Sequence, residues 1–384
     1  MMDMSVTVER ETAISIDGLR KSFAGEPVLR GIDLSIDEGD FCVVVGSSGS
    51  GKSTLLKCIS GLLSFERGAV FVDGEDVTNR SVEARDIGFV FQDFEDRLFP
   101  HMTVEENVAF GLREAGTYDA EEISRRVDET LQLLSISETK TSLPSELSGG
   151  QQQRVELARQ LVRECDVMLL DDPLADLDYK LQKRMVLEIR RIHEEFGSTF
   201  VYVTHNQDQA LKLADKLVVM NDGVIEQVGT PEEVYDAPET AFVGRFIGDN
   251  NPLLGTVTEH DGDRVVIDTD LGSVVAESRE QPPSVGEETM VLLRPEDVAL
   301  GDDADACDNG STGTVEDLTY TGEYTEFAVS FPNVTREFQV RRSGDVRRFE
   351  EGDEIRIGWD AAEGVCYDRL SASDSVTVDD LMEV

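Results

Sequence analysis

Nine consecutive residues, Gly46, Ser47, Ser48, Gly49, Ser50, Gly51, Lys52, Ser53 and Thr54, have the types and spacing to hold a polyphosphate. Four residues separate Gly46 from Gly51, and Lys52 and Ser53 follow at once, which is the phosphate-loop spacing. Glycine and serine let successive backbone N–H groups turn inward on an anion, and a helix opening near Lys52 adds its positive end. Lys52 has the length to reach β- and γ-phosphates, and the Ser53 hydroxyl is suited to ligate Mg²⁺. A serine- and glycine-rich turn without a ligand is the plain alternative. The apolar run 41–45 before the loop reads as a strand and 55–59 after it as a helix, the context that a phosphate loop requires. The sequence predicts a nucleoside triphosphate site.

Two further groups belong with that loop. The apolar run 167–170 ends in Asp171 and Asp172, which places two carboxylates at the carboxyl end of a buried strand. Open parallel sheets bind their ligands there. Asp171 is suited to hold the Mg²⁺ shell opposite Ser53, and Asp172 to orient or deprotonate a water attacking the γ-phosphate. Leu147, Ser148, Gly149, Gly150 and Gln151 form the second group. Two glycines opening a helix behind a hydroxyl make another anion-binding terminus, or else an ordinary helix cap.

Positioning these groups requires an α/β framework. Residues 12–45 carry short alternating runs separated by turn residues, expected as an antiparallel layer leading into the loop strand. Strand signals follow at 68–73 and 87–91. Residues 93–165 read as a helical insertion, with Ile123, Val127, Leu131 and Leu134 at helical spacing. Strands resume at 167–170, 199–204 and 216–220, with an amphipathic helix marked by Leu181, Met185, Ile189, Ile192 and Phe196. Strand and helix in alternation predict a mainly parallel sheet. Near Asn250, Asn251 and Pro252 the composition changes, and short runs at 264–268, 290–293, 325–331 and 355–359 predict a small all-β barrel or sandwich. The expected domains are 1–248 and 249–384.

The order of these motifs, with Leu-Ser-Gly-Gly-Gln upstream of the strand ending in Asp171 and Asp172, resembles the ABC-transporter ATPases. The resemblance covers the whole chain. It implies an ATP-hydrolysing P-loop core with an antiparallel layer and a helical subdomain, followed by an OB- or TOBE-like β-domain. In that family two copies pair head to tail, and each ATP with its Mg²⁺ lies between one copy's phosphate loop and the other's signature. The signature here is Ser148, Gly149, Gly150 and Gln151. By the same resemblance Gln92 is the glutamine that contacts Mg²⁺ and water and senses the transporter. Asp178 belongs to the loop at the dimer interface, and His205 is the switch histidine at the γ-phosphate. Phe23 falls where the family's adenine-stacking aromatic lies, although spacing alone favours ordinary packing. The sequence departs from the family twice. Asp172 stands where glutamate is usual, one methylene shorter, and residues 92–100 run two residues longer than usual on the surface that meets the membrane subunits.

The C-terminal part, with Leu293, Arg294, Pro295, Glu296 and Asp297 and with Tyr320, Thr321 and Gly322, resembles the β-barrel tail of importer ATPases. The stretches 177–181 and 246–251 are most similar to the spermidine/putrescine subgroup. Iron(III), thiamine, anion or sugar import stays open as an alternative for the same ATPase role. A hydrolysis-deficient ATP-sensing regulator would rest on Asp172. A soluble factor of translation or repair usually has two cassettes or a long coiled coil, and this sequence has neither. The implied partners are a second copy, two integral-membrane permease subunits and, indirectly, an outside solute-binding protein.

The bulk composition narrows the classes further. Against 35 basic residues stand 79 acidic ones, a net charge of −44. That density repels itself at low ionic strength and points to a high-salt working medium, with a strongly basic partner as the alternative. It makes the chain a poor candidate for non-specific nucleic-acid binding, and no nucleic-acid partner is expected. Five cysteines without C-x-x-C spacing imply neither a disulfide framework nor a zinc site. With no run of about eighteen apolar residues and no leader pattern, the chain is expected to stay in the cytoplasm without crossing a membrane itself, and the resemblance implies a peripheral place on the cytoplasmic face of the cell membrane.

Overall fold

Alternating apolar residues build the first layer. Ile14, Ile16 and Leu19 in β1 (Thr12–Phe23) and Ile32, Leu34 and Ile36 in β2 (Glu26–Asp37) are buried, and the two strands pair antiparallel. The fully buried strand β3 (Phe41–Gly46) then enters the phosphate loop, and α1 (Lys52–Ile59) leaves it. The computed structural model describes residues 10–91, 98–175, 179–279, 281–332, 334–343, 349–367, 369–373, 376–377 and 381, and it divides after Glu232 into two compact units.

In the first unit β4 (Arg67–Val72) and β5 (Glu75–Asp76) complete a four-stranded sheet in the order β2-β1-β4-β5. Next come β6 (Ile87–Val90) and three helices, α2 (Val104–Ala115), α3 (Ala120–Leu133) and α4 (Gly149–Leu161). Thr103 and Glu106 form a reciprocal capping box on α2, and Asp119 caps α3 by accepting from Glu121 and Glu122 N–H. The remaining elements are β7 (Val167–Asp171), α5 (Tyr179–Phe196), β8 (Thr199–Val203), α6 (Gln207–Leu213), β9 (Lys216–Asn221) and β10 (Val224–Gly229). The second sheet has the order β10-β9-β3-β8-β7-β6 and is parallel except for β10. Strands β3, β7 and β8 are buried along their whole length, as a sheet covered on both faces requires.

Leu55, Leu56, Cys58 and Ile59 of α1 join one apolar core with residues of both sheets. The far end of α1 is pinned by the buried Arg85, whose guanidinium donates to Cys58 O at 3.0 Å and Ile59 O at 2.6 Å. A cation at the last carbonyls of a helix satisfies acceptors that have no intrahelical partner.

Helix α7 (Pro231–Asp236) begins two residues before the division, and the second unit continues with α8 (Ala241–Phe246). Strands β11 (Asn251–Asp261), β12 (Arg264–Thr269), β13 (Gly272–Ser278) and β14 (Glu288–Leu293) follow. After the short β15 (Ala299–Leu300) come β16 (Asn309–Tyr320), β17 (Thr325–Phe331), β18 (Val334–Arg342), β19 (Glu354–Trp359) and β20 (Val365–Tyr367). A closed barrel, β11-β12-β13-β20-β14, shares one apolar core with a five-stranded sheet, β15-β19-β16-β17-β18. The unit is thus a barrel plus a sheet, where the sequence had left barrel and sandwich as alternatives. No helix among the described residues is long and apolar enough to cross a membrane.

Candidate phosphate-binding site

The parallel sheet decides where the chemistry gathers. Strand β8 lies between β3 and β7, so the loop after β3, the carboxylates ending β7 and the residues following β8 all emerge at one carboxyl edge. Sequence separations of more than a hundred residues close there into hydrogen bonds.

The loop itself is shaped by close approach. A Cβ on Gly46 would lie 2.0 Å from Met220 O, and one on Gly51 (φ 99°) would lie 2.8 Å from Leu29 Cδ2 and 2.9 Å from Val28 O. Strand β9 and the antiparallel layer therefore press the loop from two sides, and only glycine fits at either position. Lys52 Nζ folds back along the loop and donates to Gly46 O at 2.9 Å, Ser47 O at 2.8 Å and Ser50 Oγ at 3.3 Å. Burial holds the Lys52 ammonium below its ordinary pKa, and the charges of Asp172 and Asp171 oppose that shift. The lysine is thus a desolvated cation facing two carboxylates. Supplying it with anionic ligand oxygens is electrostatically favourable.

Ser53, one residue inside α1, donates from Oγ to Asp171 Oδ1 at 2.6 Å, while Lys57 Nζ lies 3.9 Å from Asp171 Oδ2. Burial raises the Asp171 pKa above its ordinary value, and the Ser53 hydrogen bond and the Lys57 charge work in the other direction. Asp172 has φ 44°, a left-handed conformation that short polar residues tolerate better than most. Its N–H is held by Val203 O at 2.9 Å. Its carboxylate meets Thr204 Oγ1 at 3.2 Å and His205 Nδ1 at 2.6 Å. Thus Ser53 with Asp171, and Asp172 with His205, form two adjoining pairs.

The other expected residues lie elsewhere. Ser148 precedes α4, and its N–H and Oγ both donate to Gln151 Oε1 at 3.0 Å. No hydrogen bond joins Ser148, Gly149, Gly150 or Gln151 to the phosphate loop among the described residues. The space around Gly149 is open, whereas a Cβ on Gly150 would strike Leu181 Cδ2 at 2.6 Å. Phe23 ends β1 and is 45% exposed. Ser47, Ser48, Gly49 and Thr54 stand in or next to the loop as expected. Gln92 and Asp178, with the longer segment after Gln92 up to residue 97, lie outside the described residues.

One support escapes a reading by motif. Ser47 Oγ donates to Asn221 Oδ1 at 3.0 Å, and Gly223 N–H donates to Ser50 O at 3.2 Å. The turn between β9 and β10 therefore braces the back of the loop. The strand 216–220 followed by Asn221, Asp222 and Gly223 signals a turn in the sequence. Its distance in the chain, 174 residues from Ser47, conceals what the turn touches.

Comparison with known proteins agrees with this geometry. The ABC transporter family pattern matches residues 29–175, and the TOBE domain pattern matches residues 291–366. The spermidine/putrescine import ATP-binding protein PotA of Aliivibrio fischeri is 42% identical over 323 residues, covering 84% of this chain and 86% of that protein. Its counterpart in Vibrio parahaemolyticus is 39% identical over 352 residues, covering 90% and 92%. Among solved structures, cbiO1 from Clostridium perfringens, described as part of the ABC transporter complex cbiONQ, superposes with a TM-score of 0.55 at 31% identity, over 59% of this chain and 92% of that one. Identity at this level, carried across more than four-fifths of both sequences, makes this chain a member of the ABC transporter ATP-binding family with a C-terminal TOBE domain.

Proposed function

We propose that this chain is the ATP-binding subunit of a spermidine/putrescine importer, hydrolysing ATP to drive uptake through membrane permease subunits. The observation that carries the reading is the meeting of Ser53 with Asp171 and of Asp172 with His205 at the sheet edge that also holds the phosphate loop. The names of relatives near 40% identity supply the cargo class.

In this reading Lys52 and the inward N–H groups of residues 46–54 bind the β- and γ-phosphates. Ser53 and Asp171 present a hydroxyl and a carboxylate oxygen 2.6 Å apart, an all-oxygen donor set that fits Mg²⁺. Bound there, the cation would neutralise phosphate charge, and Gln92 would join its shell. Asp172 accepts the proton of the attacking water, and His205 at 2.6 Å orients that carboxylate and reaches toward the γ-phosphate. The shorter reach of aspartate is offset by the three groups that fix its position, Val203 O, Thr204 and His205. Phe23 stacks on the adenine.

Two copies pair head to tail, with Ser148, Gly149, Gly150 and Gln151 of one closing over the nucleotide of the other and Asp178 at the seam. The exposed, glycine-opened start of α4 supports this arrangement, because the space around Gly149 is open and a helix start of this kind favours an anion. The ATPase domain, 1–248, sits at the cytoplasmic face, and an outside solute-binding protein delivers cargo. A net charge of −44 supports a salt-rich working medium, in which melting temperature rises with KCl.

The test is reconstitution in vesicles with the permease pair and binding protein. Spermidine or putrescine uptake should require MgATP inside and should disappear in Asp172→Asn. ATP turnover unaffected by that substitution, or vesicles that turn over ATP without moving polyamine, would overturn the reading.

A further inference from the structure

The hairpin that ends in Phe23 is held from outside by a carboxylate that no motif identifies. Ala24 (φ 51°) and Gly25 (φ 93°) make the two-residue turn between β1 and β2, with Phe23 paired to Glu26. On its other side β1 pairs with β4, but that ladder stops at the pair Arg20 and Arg67. Glu66, just before β4, donates its N–H to Arg20 O at 3.0 Å. Two residues farther along β1, the N–H of Ser22 points to the same side of the strand, where β4 has no backbone left to offer. Glu66 supplies the missing acceptor from its side chain. Its Oε2 accepts from Ser22 N–H at 2.9 Å, and its Oε1 accepts from Lys21 Nζ at 3.2 Å.

The same lysine continues the arrangement to the ring. Lys21 Nζ lies 5.1 Å from the centroid of Phe23, within cation–π range, and its side chain is largely covered. One carboxylate thus fixes the backbone next to Phe23 and the cation over its ring. With Lys21 over one face and 45% of the residue exposed, a planar ligand would approach Phe23 from the face that Lys21 leaves. An aromatic ring held in place stacks at less entropic cost than one free to rotate.

We infer that Glu66 is a positioning residue for the nucleotide base, setting the orientation of Phe23 through Ser22 and Lys21. This rests on the reading that Phe23 stacks on adenine. The inference separates base affinity from phosphate affinity. Glu66 should matter to a ligand that carries a base and not to one that is phosphate alone.

The test is calorimetric titration of the full chain with ADP and with pyrophosphate, each with Mg²⁺, for wild type, Glu66→Ala, Glu66→Gln, Phe23→Ala and the double variant Glu66→Ala/Phe23→Ala. Glu66→Ala should weaken ADP roughly fivefold and leave pyrophosphate unchanged, with Glu66→Gln in between because it keeps an acceptor for Ser22. In the double variant Glu66→Ala should add little to Phe23→Ala, since both act through one ring. Equal losses for ADP and pyrophosphate in Glu66→Ala would show a general structural role and overturn the inference. Additive losses in the double variant would do the same. If Phe23→Ala weakens ADP alone while Glu66→Ala and Glu66→Gln change nothing, the positioning role fails and base stacking stands. If Phe23→Ala itself leaves ADP binding intact, base stacking fails and the role of Glu66 falls with it.

Discussion

The two units solve opposite problems with β-structure. In the first, a parallel sheet buried on both faces sends β3, β7 and β8 out at the same edge, so polar residues from distant parts of the chain meet there. In the second, the paired strands are mostly antiparallel, so successive strand ends alternate between opposite edges and the interior is filled instead. Trp359 is 1% exposed and packs 6.2 Å from Phe338 by ring centroids. The first unit keeps Lys52 and Asp171 partly desolvated at its edge, each with a pKa moved by burial. In the second, Arg341 bridges Asp249 and Glu326 at the surface, an arrangement that supports a scaffold more than a reaction. Direction of chain, more than residue composition, separates a site from a scaffold here.

The sharpest way to break this contrast is to remove the base at the parallel edge. Asp172→Asn should lower ATP turnover by about 10²–10⁴-fold, the usual contribution of a positioned base, with ADP binding retained. Turnover by phosphate release and ADP binding by calorimetry check both parts. A filled interior should respond in stability instead. Trp359→Ala should destabilise the second unit by about 3–5 kcal/mol in denaturant unfolding, with ADP affinity unchanged. A large loss of affinity there would mean that the scaffold is not confined to its own unit.

Smaller effects sharpen the comparison. Asn221→Ala removes the brace under Ser47 and should raise the KM for ATP roughly fivefold, about the worth of one hydrogen bond, with little change in kcat. Asp171→Asn should show the strain stored at the edge. Burial raises its folded pKa above the ordinary 3.8, so ionisation weakens the folded state once pH exceeds that value, and the full penalty holds above the folded pKa. The nucleotide-free Asn variant should therefore melt slightly higher than wild type at neutral pH. The difference should vanish below the ordinary carboxylate range, where both side chains are neutral. Melting curves at pH 7 and in acid read the sign directly.

Much of the site is legible in the sequence itself, because its motifs are local. Loop spacing around Gly46 and Gly51 reflects the reach of consecutive N–H groups, and the strand ending in Asp171 and Asp172 is a continuous apolar run. The alternation of strands and helices likewise announced the parallel sheet. Less local features stayed hidden. Asn221 and Arg85 are single polar residues in unremarkable company, and nothing in their own neighbourhoods names Ser47 or the last carbonyls of α1 as partners. Glu66 reads as one acidic residue among 79.

Sequence alone determined the class of chemistry, since residue type and spacing over a few positions decide what a loop can bind and what a strand end can donate. Tertiary structure alone decided which groups share an edge. It put Ser53 beside Asp171 across 118 residues and Asp172 beside His205 across 33. The reason is that strand order in a parallel sheet is set by packing two apolar faces, and that order, which no short stretch encodes, fixes which carboxyl ends are neighbours.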